Sequence, residues 1–113
     1  MLKTLDSVIN TTFTEQIGFI APDESYLVYY HYCKNHPEET GLYISFRNDD
    51  GIWTKGKNMG KMFNQPTKYC TQAASLSPDG KYLFFLKRYE ETIYWVDSEI
   101  IEDLRKEALK DDK

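Results

Sequence analysis

The chain alternates short apolar and aromatic runs with compact polar turns, a rhythm that predicts brief β-strands joined by tight connections. Residues 17–32 hold two such runs, separated at Pro22 to Ser25. Proline presets φ at the first turn position, and an aspartate can bond backbone two residues on, so this stretch predicts a hairpin. A third run, Leu42 to Phe46, leads into Asn48-Asp49-Asp50-Gly51, whose Asp-Gly pair predicts a tight turn into Ile52-Trp53-Thr54-Lys55. A four-stranded meander is expected. Ile52 to Lys57 is short and charged, which suits an exposed outer strand that must avoid pairing with other chains.

After a loop at residues 57–70 the same grammar returns as Ala73-Ala74-Ser75-Leu76-Ser77, the turn Pro78-Asp79-Gly80, then Lys81 to Lys87 and Thr92 to Val96. The segments beginning at Pro22 and Pro78 align without a gap through Tyr29 and Phe85, and Gly41-Leu42-Tyr43-Ile44 aligns with Thr92-Ile93-Tyr94-Trp95. A meander repeated at a period of about fifty residues predicts propeller blades, in which each sheet covers its neighbour. Tyr26-Leu27-Val28-Tyr29-Tyr30 and Tyr82-Leu83-Phe84-Phe85-Leu86 are nearly continuous apolar runs, as expected of strands covered on both faces. Beyond Asp97-Ser98 the period changes. Ile100, Ile101, Leu104, Ala108 and Leu109 fall on one face of a helix expected over residues 98–110. Asp97 or Ser98 can cap it, Glu99 and Glu102 sit near its start, and Arg105, Lys106 and Lys110 lie towards its end. The fold class is therefore all-β, about two four-stranded antiparallel blades of a partial β-propeller with a C-terminal α-helix. One domain is expected over 1–113, with the blades at about 17–57 and 72–97.

Composition narrows the function classes. With 113 residues, 41% hydrophobic and 15% aromatic, the chain has the material for one modest core. A net charge of −4 argues against a general phosphate-binding surface, so nucleic acid is not an expected partner. The first residues lack a charged segment followed by an apolar run, so no secretory signal is read there, and no run has membrane-spanning length. Cys33 and Cys70 are too few for a disulfide framework, and whether they bridge stays open.

The Pro-Asp segments at Ile20 to Leu27 and at Ser75 to Phe85 resemble the turn signature of TolB-like propeller repeats. So do Gly41 to Arg47, Ile52 to Lys55, Asn58-Met59-Gly60 and Ile93 to Asp97. The resemblance covers about residues 5–105 and implies a bacterial, periplasmic or envelope-associated protein whose blades surround a channel that binds proteins, peptides or small ligands. It also makes residues 98–110 similar to the carboxyl terminus of such proteins. Two departures stand out. The loops Cys33 to Thr40 and Arg88 to Glu91 lack the Ser-Asn-Arg and glycine pattern of the family, which weakens any ligand site they would carry. A closed propeller takes about four to eight blades and this chain supplies about two, so the expectation is a portion of a longer propeller, a homo-oligomer, or a piece packed in an atypical way with the helix as a plug.

Candidate chemistry is sparse. His31-x-Cys33-x-x-His36 offers imidazole and thiolate, but three local ligands fall short of the four a structural zinc takes, so no metal is assigned. Asp23 and Asp79 occupy equivalent turn positions and read as turn-capping groups rather than an acid and base pair. Asn48 to Gly51 resembles part of a calcium loop without its later bidentate glutamate. No Gly-x-Ser-x-Gly elbow or phosphate loop is present, and the two histidines close in sequence make poor partners for a cysteine nucleophile. The expected catalytic, cofactor and metal residues are accordingly none. Tyr29, Tyr30, Tyr32, Tyr43, Trp53, Tyr69, Tyr89 and Trp95 form either packing between sheets or an aromatic binding surface. The functional expectation is a non-catalytic binding module with a protein, peptide or glycan ligand. Its alternative is the propeller portion of a larger peptidase or hydrolase whose catalysis lies outside this chain.

Overall fold

A computed structural model describes residues 14–32, 39–64, 71–87 and 91–111. These form seven strands and one helix: β1 (Thr14–Ile20), β2 (Tyr26–Tyr32), β3 (Gly41–Phe46), β4 (Lys57–Asn58), β5 (Thr71–Leu76), β6 (Tyr82–Lys87), β7 (Thr92–Asp97) and α1 (Ile100–Asp111). They build two antiparallel meander sheets, β1-β2-β3-β4 and β5-β6-β7. The second sheet has three strands because the chain after β7 turns into α1 instead of returning along the β7 edge.

The two sheets repeat one register. Ile20 pairs with Leu27 and Phe19 with Val28 in the first, as Leu76 pairs with Leu83 and Ser75 with Phe84 in the second. Each ladder is interrupted at the same place, between Ile17 and Phe19 in β1 and between Gln72 and Ser75 in β5. The turns repeat as well. Glu24 N–H donates to Ala21 O at 2.8 Å and Gly80 N–H to Ser77 O at 2.9 Å, and Asp23 and Asp79 each accept the backbone N–H two residues on at 3.0 Å. Glu24 and Gly80 both adopt positive φ, 62° and 76°. Glycine reaches that region without a Cβ clash, whereas glutamate is strained there.

Side chains alternate across each strand, so each sheet has two faces. In the first sheet Tyr26, Val28, Leu42, Ile44 and Phe46 share the inner face and are all buried. Against them pack Leu83 and Phe85 of β6, Ala74 of β5, and Ile101, Leu104 and Ala108 of α1, in one continuous core. Phe63, fully buried, meets Phe85 with ring centroids 4.8 Å apart. β5 is the seam, lying against β1, β2 and β3. Here the two ladder irregularities meet. A Cβ on Gly18 would come within 2.9 Å of the backbone Val28 O, so the close approach of β1 to β2 favours glycine, while the 3.6 Å to the Ala74 Cβ is an ordinary contact with β5.

The charged stretch after β3 departs from the expected straight outer strand. Only an isolated bridge, Arg47 to Trp53, and the two residues of β4 pair with the strand before them. Thr54 explains the break. Its Oγ1 accepts the Phe46 N–H at 3.0 Å, its N–H donates to Phe46 O at 2.8 Å, and its carbonyl accepts the Ser45 hydroxyl, which ends the ladder and turns the chain over the outer face. Trp53 then packs on Leu27 and Tyr29, and Gly56 closes over the Tyr29 hydroxyl. Past β4, the Asn64 side chain stands in for a missing strand: Leu42 N–H donates to Asn64 Oδ1 at 2.7 Å and Asn64 Nδ2 donates to Leu42 O at 2.9 Å.

α1 starts two residues later than the periodicity indicates. Asp97 Oδ1 accepts the Glu99 N–H at 2.9 Å just ahead of it, while the Ser98 hydroxyl donates to Gly80 O at 2.7 Å and fastens the helix start to the second Pro-Asp turn. Arg105 lies over the Phe46 ring at 4.9 Å and Lys57 Nζ sits 3.4 Å from Glu107, so α1 is seated along the first sheet.

Candidate functional site

β6 is an apolar run with two different fates. Leu83 and Phe85 point to the core and are buried, while Tyr82, Phe84 and Leu86 occupy the opposite face. On β7, Trp95 pairs with Phe84 and Ile93 with Leu86, which places them on that same outer face. Nothing among the described residues covers it: Ile93 is 71% exposed and Trp95 64%. Tyr82 meets Trp95 edge to face at 5.2 Å, and with Phe84 these rings line a groove of about 280 Å³. Edge-to-face is a preferred arrangement of aromatic pairs, and here both rings stand on one hydrogen-bonded sheet.

Register decides why this face is unusual. Tyr82, Phe84, Ile93 and Trp95 take the places in the second sheet that Tyr26, Val28, Leu42 and Ile44 take in the first, and those four are buried beneath the second sheet and α1. The same register positions occur twice, filled by different apolar side chains. One copy is covered and one is open. The expectation that both apolar runs are sandwiched therefore holds for β2 and not for β6, because no further sheet among the described residues comes after β7.

The other side chains singled out from the sequence have more ordinary surroundings. His31 is buried with its ring 4.8 Å from Tyr43. Cys33, His36 and Cys70 lie outside the described residues, as do Tyr69, Tyr89 and most of the two loops that depart from the family pattern. Among the described residues no group of three His, Cys, Asp or Glu side chains converges on a metal position. Asp23 and Asp79 are each consumed by their own turn. Ser25 donates both its hydroxyl, at 2.6 Å, and its N–H to Asp23 Oδ1, and the Ser77 hydroxyl donates to Asp79 Oδ1 at 2.7 Å with the Lys81 N–H at 3.0 Å. The side-chain hydroxyl bonds are the main cause holding both carboxyls below their ordinary value. Neither is poised as an acid.

A second, polar cleft of about 460 Å³ lies where the first Pro-Asp turn faces the Asn48–Gly51 turn. Arg47 crosses it, 3.6 Å from Glu24 and 5.8 Å from the Trp53 ring, and Asp50 Oδ1 accepts the Ile52 N–H at 3.0 Å. Of its carboxylates, Glu24 is thus partly neutralised, and Asp23 and Asp50 are engaged in turns. Of the described aromatic residues weighed as a binding surface, Tyr29 and Tyr30 are core, Tyr43 and Trp53 half-buried, and Trp95 alone joins a contiguous open aromatic face; Tyr32, also exposed, lies on the other sheet. Tyr82, Phe84 and Ile93 carry no site signal of their own in the sequence. The signal is the change to helical period after Asp97, which leaves β7 without a following strand.

Comparison of the chain with protein-family models, with curated proteins and with solved structures gave no match. No helix among the described residues is long and apolar enough to cross a membrane.

Proposed function

We propose that this chain is a non-catalytic interaction module made of two successive TolB-like propeller blades, and that it engages a protein partner with the outer face of its second sheet. One observation carries the reading: the face bearing Ile93 and Trp95 is open, although its counterpart bearing Leu42 and Ile44 is buried. Contiguous aromatic faces of this kind mark interaction surfaces, and Tyr and Trp supply much of the energy of such contacts. The shared register, the repeated ladder irregularity and the matching Pro-Asp turns support treating the sheets as two copies of one blade.

The test is site-specific photocrosslinking in living cells. A benzophenone amino acid at position 93 or 95 is expected to give a discrete adduct by mass spectrometry, while the same group at the exposed Lys106 gives none. Absence of any adduct at 93 and 95 would sink the proposal. An adduct at all three positions would mean random collision and would sink it equally.

A further inference from the structure

We infer that the partner of this face is the same face of a second copy of the chain, related by a two-fold axis. The inference rests on the reading that the outer face of the second sheet is an interaction surface, and it names the occupant.

Two stacking modes are open to identical copies. In the first, the outer face of one second sheet would repeat the internal interface by lying on the far face of the neighbour's first sheet. That far face is already closed. Leu27 and Tyr29 there are 2% and 4% exposed beneath Trp53 and the chain at Gly56, so head-to-tail growth is blocked by the molecule's own residues. The second mode pairs the open face with itself. Other large apolar side chains that remain exposed, such as Ile20, Ile52 and Met62, do not belong to this face, and Tyr82, Ile93 and Trp95 do. Among the described residues, the contiguous open apolar sheet face a second copy can offer is therefore this one.

The face also fits itself. It carries a groove, lined by Tyr82, Phe84 and Trp95, and beside it a projecting Ile93 on the same strand as Trp95. A two-fold operation exchanges these, placing Ile93 of each copy at the groove of the other, the reciprocal contact that isologous interfaces require. The five apolar residues at its centre, with Leu86 included, bear no charge, and the one carboxylate that the register puts on this face, Asp97 opposite Tyr82, lies at its edge with Oδ1 accepting the Glu99 N–H. Two sheets packed in this way stand about 10 Å apart with interdigitated side chains.

Area sets the strength. With large side chains of about 150–250 Å² each, the open part of the face is on the order of 400 Å² per copy. Counted over both copies this is on the order of 800 Å², short of the roughly 1,200 Å² of a stable specific interface, so association is weak and reversible. A weak contact with a dissociation constant on the order of 100 µM is expected, with dimer at hundreds of micromolar chain and dissociation at a few micromolar.

Sedimentation equilibrium over this concentration range tests the inference, with thermal melts to establish that each variant folds. The native chain is expected to shift from 13.3 kDa towards twice that mass as concentration rises. Trp95→Lys and Ile93→Lys, both at exposed positions, are expected to melt as the native chain does and to remain at single-chain mass throughout. A native chain of single-chain mass at every concentration would overturn the inference, as would a dimer that survives Trp95→Lys. The crosslinking experiment separates the two levels of failure: an adduct with a different protein at position 95, together with a monomeric chain, overturns the self-docking inference and leaves the interaction module standing.

Discussion

Leu42 and Ile44 of β3, and Ile93 and Trp95 of β7, stand at the same register positions of two sheets built alike, yet the first pair is 1% and 0% exposed and the second 71% and 64%. Strand sequence does not account for the difference, since all four are large and apolar. The difference comes from the chain beyond each strand. β3 is succeeded by β4, Phe63 and an entire second sheet that stacks on its inner face, whereas β7 is succeeded by a helix that turns back onto the first sheet. Equivalent apolar positions are thus core in one sheet and periphery in the next, and burial lets the first set contribute to stability while the second stays in contact with solvent.

The comparison breaks most visibly under truncation of equivalent side chains. Ile44→Ala is expected to cost about 2–5 kcal/mol, because a fully buried site leaves a cavity. Trp95→Ala at micromolar chain is expected to cost less than about 1 kcal/mol, since it removes little buried area. Urea titration of both variants measures the gap, and equal losses would mean that the two faces are equally covered. Leu104→Ala tests the helix that covers the first face and is expected to cost about 2–4 kcal/mol by the same means.

Asn64 sharpens the comparison at the level of hydrogen bonds. Asn64→Ala leaves the buried Leu42 N–H without its side-chain acceptor and is expected to cost about 1–3 kcal/mol in a thermal or urea melt. The matching turns give a smaller contrast. Glu24→Gly is expected to stabilise by about 0.5–1 kcal/mol by relieving positive φ, and Gly80→Ala to destabilise by about 1 kcal/mol by introducing it. Loss of the exposed Glu24 to Arg47 pair offsets little of the first gain.

Acid gives the smallest effect. Asp23 and Asp79 have folded pKa values below the ordinary 3.8, so the unfolded chain takes up protons first as pH falls. Stability from these turns is fully present above that value and is lost progressively below it. Asp23→Asn with Asp79→Asn should flatten the acid limb of a pH titration of stability. Tyr26 has the opposite sign: burial raises its pKa above 10.0, so its contribution is present below that value and lost as pH rises through the folded one.

Much of this architecture is legible in the residues. The Pro-Asp turns can be read because proline, aspartate and a residue at positive φ each have a local physical role, and the gapless alignment from Pro22 and Pro78 matches the shared register of β1-β2 and β5-β6. The helix is legible from its apolar spacing. Coverage is the part that local pattern does not convey. Tyr82 to Leu86 has the apolar run of a strand enclosed on both faces, but enclosure depends on the layers stacked there, a long-range fact absent from the strand itself. The fate of Ile52 to Lys55 is hidden for a related reason, because the side chain and carbonyl of Thr54 draw the segment off the edge and Trp53 finds an apolar face to cover. The open face is visible in the sequence only indirectly, through the change of period after Asp97.

Hydroxyl-radical footprinting at about 1 µM chain, a concentration below the expected dimer range, tests the contrast between the two faces most directly. The account predicts rapid oxidation of Ile93 and Trp95 and strong protection of Leu42 and Ile44, their register equivalents. Comparable oxidation of the two pairs would contradict it.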